Sequence, residues 1–514
     1  MNLEKLTKTL RAIIVTSLWT WIGIYVLLSL PPIREEIANR AEVFLSDLFQ
    51  TKVKVGSVNI GLLNSITIDD VSISDLNDRE IMSISRLAAT ISLHDLLNEK
   101  ITIEGAQLFG LNASLYRQTP QSAGNWEFII NALKSEDKDN DKTINLRINT
   151  FIVRHANIKY DVKSVEKING KFSPYHIDIR DFALTTNLKI EENNISINIK
   201  RLNGKEINSG LEINHFRSRI DAIEKVAQIT NTEVGLCNSI LKTDTIKIAY
   251  GDLGNINNGD WSLECNQIEG HINLKDLKPL TDKLNKAESE LDLRASVSGS
   301  NEGITIKDFR LCSKSGSISL VMDGKTDFSK NEESETEINV RNLHIDENGL
   351  AEISTIVGSD TKLITYIERL KFIDMNGFVY NGIDGRIIAD GILKTGCGDM
   401  VISGLFDENK WLECEIETGN LNLSKLTNDD KFGKTSFTLT TDGTIDKEKP
   451  LGNISCLIKN FEYSNYNYKD ICFDITSQHE GIKGLITAKD ENLDLNVKGE
   501  INPYTPNPVY NIDK

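Results

Sequence analysis

The sequence predicts a mostly β protein, an elongated and curved sheet built as a repeat array. A transmembrane helix and a short amphipathic helix are expected ahead of it. Three observations carry that expectation. After Thr51 apolar and polar residues alternate at the period of a strand, and one eight-residue signature keeps returning. The 514 residues contain no Gly/Ser- or Pro-rich linker that would divide compact globules. One long apolar stretch stands near the amino terminus. A chain of this length exceeds what a single core serves, and without linkers it favours a quasi-one-dimensional stack.

Ala12–Leu30 (AIIVTSLWTWIGIYVLLSL) is nineteen residues without a charge, enough helix to cross a hydrocarbon core. Lys5, Lys8 and Arg11 precede it, whereas Arg34 is followed at once by Glu35 and Glu36. That bias puts the amino terminus in the cytoplasm and everything after Pro31 outside it. A cleaved signal peptide is the competing reading, but the Ser29-Leu30-Pro31-Pro32 exit lacks an A-x-A-like site. Trp19 and Trp21 fall mid-span rather than at an interfacial belt. The next segment, 32–50, places Ile33, Ile37, Ala41, Phe44 and Leu48 at helical spacing opposite Glu35, Arg40 and Asp47. Pro32 suits a helix start. Such a helix could lie on a membrane, plug the open end of a sheet, or pack on an ordinary core.

The recurring signature reads apolar, x, apolar, x, x, apolar, x, apolar. Its apolar positions are Val53, Val55, Val58 and Ile60 in VKVGSVNI, then Ile66, Ile68, Val71 and Ile73 in ITIDDVSI. They continue as Ile101, Ile103 and Leu108 in ITIEGAQL, and Leu146, Ile148, Phe151 and Val153 in LRINTFIV. IDIRDFAL contributes Ile177, Ile179, Phe182 and Leu184, and ITIKDFRL contributes Ile304, Ile306, Phe309 and Leu311. INVRNLHI adds Ile338, Val340, Leu343 and Ile345, and CLIKNFEY (456–463) closes the series. A jump of three residues flips the second apolar pair to the other face of a strand. One bulged residue restores the phase and bends the strand. The skipped pairs, such as DD, RD, KD and GS, suit a bulge. Each unit is therefore expected to be a strand that curves while keeping one apolar face. A series of ordinary β-sandwiches is the alternative; the missing linkers and the recurrence from Val53 to Tyr463 argue against it.

Smaller features complete the expected organisation. Asn125–Lys134 reads as a short helix with Trp126, Ile129, Ile130 and Leu133 on one side. Ser135–Lys142 (SEDKDNDK) is a charged loop, and Pro279–Asn285 a helical turn. Phe216–Leu241 mixes the two periods and takes no assignment. The expected divisions are thus 1–31, 32–50, 51–134, 135–142 and 143–514, the last a repeating groove that continues beyond the chain.

Chemistry is sparse. A net charge of −17, without a basic block past the first dozen residues, disfavours nucleic acid as a partner. The seven cysteines form no CxxC pair and mostly hold apolar-phase positions, although Cys397 with Cys414, or Cys456 with Cys472, could pair across strands. Gly433-Lys434-Thr435 and Gly324-Lys325-Thr326 imitate the end of a phosphate loop, but Asn428 and Ser319 replace its first glycine. Asp137, Asp139 and Asp141 imitate a calcium loop, yet Lys142 and Ile148 stand where its glycine and glutamate belong. The histidines are dispersed singly. No catalytic set, metal site or cofactor is expected.

The order of several segments is informative. The anchor leads into TKVKVGSVNIGLLNSITIDDVSISD and ISRLAATISLHDLLNEKITIEGAQLFGLNASLYR. GNWEFIINALKS and INLRINTFIVRHANIKYD follow. Over about residues 1–185 this series resembles the amino-terminal region of TamB-like members of the AsmA superfamily; beyond it the β repeat is generic. The resemblance implies a β-taco, a curved sheet lining a hydrophobic groove, with the signature residues named above along its wall. It implies an inner-membrane protein anchored through 12–30, with its bulk in the periplasm. Passive phospholipid transport between inner and outer membranes would be its task. A scaffold that offers sheet edges to client strands during outer-membrane protein assembly is the alternative, and a structural tether a third. It also implies a carboxy-terminal module that works with an outer-membrane barrel. This chain ends at TPNPVYNIDK, so an amino-terminal fragment, or a form lacking the outer-membrane end, is expected.

Overall fold

The computed structural model describes all residues except 1–2, 62–63, 93–94, 96–100, 134–145, 192–193, 252–259, 282–283, 285–287, 329–333, 358–360, 383–384, 409, 445–450, 504–508 and 514. The described chain is mostly β, in curved, open sheet. It divides into two units, Met1–Ala249 with Asp276–Asp282, and Tyr250–Lys275 with Lys283–Lys514. The expected boundary at 135–142 is not one of them, because the strands on either side of that segment pair directly. The charged loop itself lies outside the described residues.

In the first unit, helix α1 spans Leu3–Leu28, and its Arg11–Leu28 stretch, of mean hydropathy 1.6, is long and apolar enough to cross a membrane. Within it the Thr16 and Thr20 hydroxyls donate to the carbonyls of Ala12 and Thr16, one turn back. They therefore need no partner outside the helix. Helix α2 (Pro31–Phe49) opens on two prolines, whose missing N–H groups cost nothing in a first turn. Its buried stripe is Ile37, Ala38, Ala41, Leu45, Leu48 and Phe49. Phe44, expected on that stripe, is 65% exposed beside Val43. The helix rolls so that Leu45 takes the inward place.

Ten strands follow: β1 (Val53–Ile60), β2 (Ser65–Ser74), β3 (Glu80–Ile91), β4 (Ile101–Arg117), β5 (Leu146–Val162), β6 (His176–Glu191), β7 (Asn194–Glu206), β8 (Glu212–Ile223), β9 (Val226–Leu236) and β10 (Ser239–Tyr250). Each pairs with the next in sequence, antiparallel throughout except β4 with β5. A parallel pair needs a crossover. Here the crossover carries helix α3 (Glu127–Leu133). Phe128, Ile129 and Ala132 are its packed face; Ile130, expected there, is exposed. The unassigned stretch Phe216–Leu241 lies in β8, β9 and the start of β10. Register shifts at Ile213/His215 and Arg217/Arg219, with Asn231 at φ 52°, broke its period in the sequence.

The second unit runs β11 (Trp261–Asn273), β12 (Glu290–Ser300), β13 (Gly303–Ser313), β14 (Ile318–Phe328), β15 (Ser334–Ile345), β16 (Ile373–Asn381), β17 (Ile387–Thr395), β18 (Gly398–Phe406), β19 (Trp411–Asn422), β20 (Phe432–Thr444), β21 (Leu451–Tyr463), β22 (Tyr466–Gln478), β23 (Gly481–Lys489), β24 (Asp494–Asn502) and β25 (Val509–Asp513). Every step is an antiparallel pairing with the next strand. Helices α4 (Glu347–Val357), α5 (Thr361–Arg369) and α6 (Leu423–Thr427) interrupt it, none of them expected. All lie at one rim, between the end of β15 and the start of β16, or of β19 and β20. Leu350 of α4 is 1% exposed. Of the helical turn expected at Pro279–Asn285, Leu284 stands in a 3-10 turn and residues 282, 283 and 285 lie outside the described residues; another 3-10 turn spans Leu274–Leu277. Strands that pair only with their sequence neighbours make a meander within each unit, not a series of two-sheet sandwiches.

The signature behaves as the alternation demands. In β1 and β2 its four apolar positions face each other: Val53 opposite Ile73, Val55 opposite Val71, Val58 opposite Ile68 and Ile60 opposite Ile66. Gly56 and Asp70 are the residues left out of that ladder. In four further signatures a register shift falls at the skipped pair: Ile148/Phe151, Arg180/Ala183, Ile306/Phe309 and Val340/Leu343. Asp70, Asp181 and Asp308, each second in its skipped pair, have φ of 55°, 51° and 49°. Aspartate tolerates that left-handed region better than most residues, which is why the bulge carries it.

Candidate functional site: an apolar sheet face

Directly opposed residues in a sheet share a face. The ladders therefore define continuous rows. In the first unit one row runs Val58, Ile68, Leu87, Leu108, Val153, Leu184, Leu202, Phe216, Val234, Leu241, one residue from each of the ten strands and apolar at every step. A parallel row runs Ile91, Ile103, Ile148, Leu188, Ile197, Ile220, Ile229, Ile246. In the second unit a row crosses β13 to β24 as Phe309, Met322, Val340, Gly377, Gly391, Ile402, Ile416, Leu439, Cys456, Phe473, Ile486, Val497. No step in it carries a charge or a hydrogen-bonding oxygen or nitrogen.

How deeply these side chains are covered varies. At the start of the first unit α2 and α3 lie on the face. Val53, Val55, Val58, Val71 and Ile73 are buried there, with Ile68 packed against them. These predicted wall residues form a closed core, not open wall. Ile60 is half-buried and Ile66 exposed. Farther along, Ile103, Leu108, Leu146, Ile148, Phe151, Ile177, Ile179, Phe182 and Leu184 are half-buried, and Val153 is buried. Ile101 keeps its place opposite Leu146. Its side chain lies outside the described residues. In the second unit Ile306, Phe309, Leu311, Ile338, Val340 and Leu343 share the apolar face with Ile304, which is 37% exposed. The exception is Ile345, buried at the helical rim. Leu87, Leu202, Phe216, Ile416 and Ile486 belong to the same rows although no signature marks them; plain two-residue alternation was their only signal.

The opposite face is mainly polar, with Phe109, Ile392, Val401 and Leu457 exposed on it. Arg86–Asp69 (2.6 Å), Arg180–Asp178 (2.5 Å), Arg219–Asp221 (2.7 Å) and Arg341–Asp308 (2.7 Å) lie there. The Arg219 guanidinium holds the Asp221 carboxyl below its ordinary range. Such exposed pairs contribute little stability each. They do fix which face meets water.

One rim of the first unit is closed by acids that collect turn N–H groups. Asp75 accepts from Asn77 N, Arg79 N and the Tyr116 hydroxyl. Glu206 accepts from Asp178 N, Asn208 N and Ser209 N. Asp276 accepts from Asn238 N and the Ser239 hydroxyl. Burial pushes the carboxyls of Asp75 and Glu206 up, but these donors outweigh it and leave both below their usual range.

The cysteines form no disulfide among the described residues. Cys456 lies opposite Phe473, so the neighbouring Cys472 must project from the other face, and the expected pair cannot close. Cys397 is buried in the β17–β18 turn, while Cys414 sits mid-strand in β19 opposite Gly404. No group of His, Cys, Asp and Glu among the described residues is placed to hold a metal.

What each unit offers chemically is an apolar sheet face with a polar back. No protein-family model, curated protein or solved structure matches the chain.

Proposed function

We propose that this protein is an inner-membrane-anchored envelope protein of the TamB/AsmA kind, whose apolar face shields phospholipid acyl chains as they pass between inner and outer membranes. The observation that supports this most is the row from Val58 to Leu241, apolar on ten consecutive strands, of which Val58 and Val153 are buried and the rest are half-buried or exposed. A soluble protein has little reason to leave so long an apolar strip half-exposed unless something apolar lies on it. Each CH₂ removed from water is worth about 0.8 kcal/mol, so two long acyl chains cost on the order of 20 kcal/mol to move through water. A continuous apolar wall removes that barrier without fuel, and headgroups stay in solvent. Helix α1 supplies the anchor, amino terminus in the cytoplasm and sheet in the periplasm. The outer partner that the resemblance implies is an outer-membrane barrel.

The test is photocrosslinking in the full chain within cells. A benzophenone amino acid at Phe216, on the apolar row, should capture phospholipid, seen as a lipid-mass adduct. The same group at Lys247, on the polar face opposite Gln228, should not. Protein adducts alone at Phe216 would replace the lipid reading by the scaffold one.

A further inference from the structure

Two adjoining cavities open on the apolar face of the second unit. One, of about 240 Å³, lies over the cross-strand pair Gly443–Gly452. The other, of about 320 Å³, lies over the pair Gly484–Gly499 and is walled by Phe473, Ile475, Ile482, Ile486, Val497 and Ile501. Ile475 and Ile482 are shared by both.

The two glycine pairs exist for different reasons. A Cβ on Gly443 or Gly452 would stand 2.3 or 2.1 Å from a backbone oxygen of the facing strand. Those glycines are demanded by the close approach of two backbones. A Cβ on Gly484 would meet nothing within 4 Å, and one on Gly499 only the Asn511 carbonyl oxygen at 3.8 Å. Neither needs a left-handed backbone. The fold therefore leaves room for side chains here and does not use it. Glycine inside a strand is unfavourable by roughly 0.5–1 kcal/mol, and where no turn or clash requires it, it marks a place another group approaches.

We propose that the bare floor at Gly484–Gly499 is a seat for one linear alkyl chain, a resting subsite on the transfer face. The proposal rests on the lipid reading above and adds a location to it. The occupant is a single unbranched chain because the walls are hydrocarbon on both sides and the floor is flat backbone, one cross-strand glycine pair wide. A bulky ring system would ride on the Ile475 and Ile486 side chains without using the floor. The neighbouring cavity over Gly443–Gly452 shares Ile475 and Ile482, so a chain longer than the first cavity continues into the second.

The probe is a phosphatidylcholine carrying a diazirine in its palmitoyl chain, offered in vesicles to the full-length protein in nanodiscs, with adducts mapped by peptide mass spectrometry. Adducts should concentrate on Ile475, Ile482, Ile486 and Val497. Gly484→Leu with Gly499→Leu fills the floor, displaces on the order of two methylenes, and should lower those adducts roughly tenfold. Adducts around Phe216 and Val234 should be unchanged. Gly484→Ala, whose methyl fits the open space, should keep most of the local signal, and an unchanged far-ultraviolet spectrum of the leucine variant shows the sheet intact. Adducts spread evenly along the wild-type face, or a leucine variant labelled like wild type, overturn the subsite while the lipid reading stands. No adduct anywhere on the apolar face overturns both.

Discussion

The Glu42 carboxylate accepts a hydrogen bond from the backbone N–H of Val55 at 3.1 Å, so a helix side chain occupies the outward edge of the first strand. Four residues along α2, the Ser46 hydroxyl does the same for the Val53 N–H at 3.1 Å. An edge strand otherwise invites another strand. Here the donors of Val53 and Val55 are taken, which weighs against client strands adding at that end of β1.

Removing these caps should show locally. Glu42→Ala leaves the part-buried Val55 N–H without its partner, a cost of about 1–3 kcal/mol. Amide exchange at Val55 should quicken by about tenfold or more, while Lys54, whose neighbour is β2, changes less. Equal exchange at Val55 in both proteins would mean that the hydrogen bond does not hold the edge.

Bulge chemistry gives a second expectation. Asp181→Gly should be close to neutral, since glycine adopts φ 51° freely and the exposed His155 contact it loses is weak. Asp181→Val puts a β-branched side chain into the left-handed region and should cost about 1–3 kcal/mol. Thermal unfolding of the two variants decides. A valine variant as stable as the glycine one would place the bend elsewhere.

Charge on the apolar face should block transfer. Ile148 and Phe151 sit opposite Ile103 and Ala106 on one side, Leu188 and Thr186 on the other. Ile148→Asp with Phe151→Asp would set unpaired carboxylates among acyl chains, at a cost of several kcal/mol. Arg147→Asp, on the polar face opposite Lys189, is the matched control. In a vesicle transfer assay the double variant should fail and the control should work. Wild-type transfer by a folded double variant would remove this part of the face from the path.

Acid should loosen the rim. The Asp75 and Glu206 carboxyls titrate below their ordinary values in the folded chain. A depressed folded value means stabilisation that is present above the unfolded value, about 4, and is lost as pH falls through the folded one. The melting temperature should therefore drop below about pH 4, and Glu206→Gln should flatten part of that drop while lowering stability at neutral pH. An unchanged acid limb would show that Glu206 adds nothing to it.

What the sequence determined by itself is periodic. The two-residue alternation set one apolar and one polar face, and the apolar-x-x-apolar step with an aspartate at its second gap located the bulges at Asp70, Asp181 and Asp308. Helix α1 was legible because nineteen uncharged residues suit a hydrocarbon medium, where the backbone must bond internally as a helix does. Those are local properties, encoded by side-chain direction and backbone preference over a few residues. The tertiary structure decided what covers what. That Val53 and Val55 are sealed while Ile148 and Phe216 stay open depends on where α2 and α3 come to rest. The roll of α2 that buries Leu45 and exposes Phe44 follows from the shape of the β1–β2 surface beneath it. Pairing β4 with β5 in parallel, register on register, brings residues about forty-five apart into contact. No local period records such a choice, because its energy lies in surface shared between distant segments.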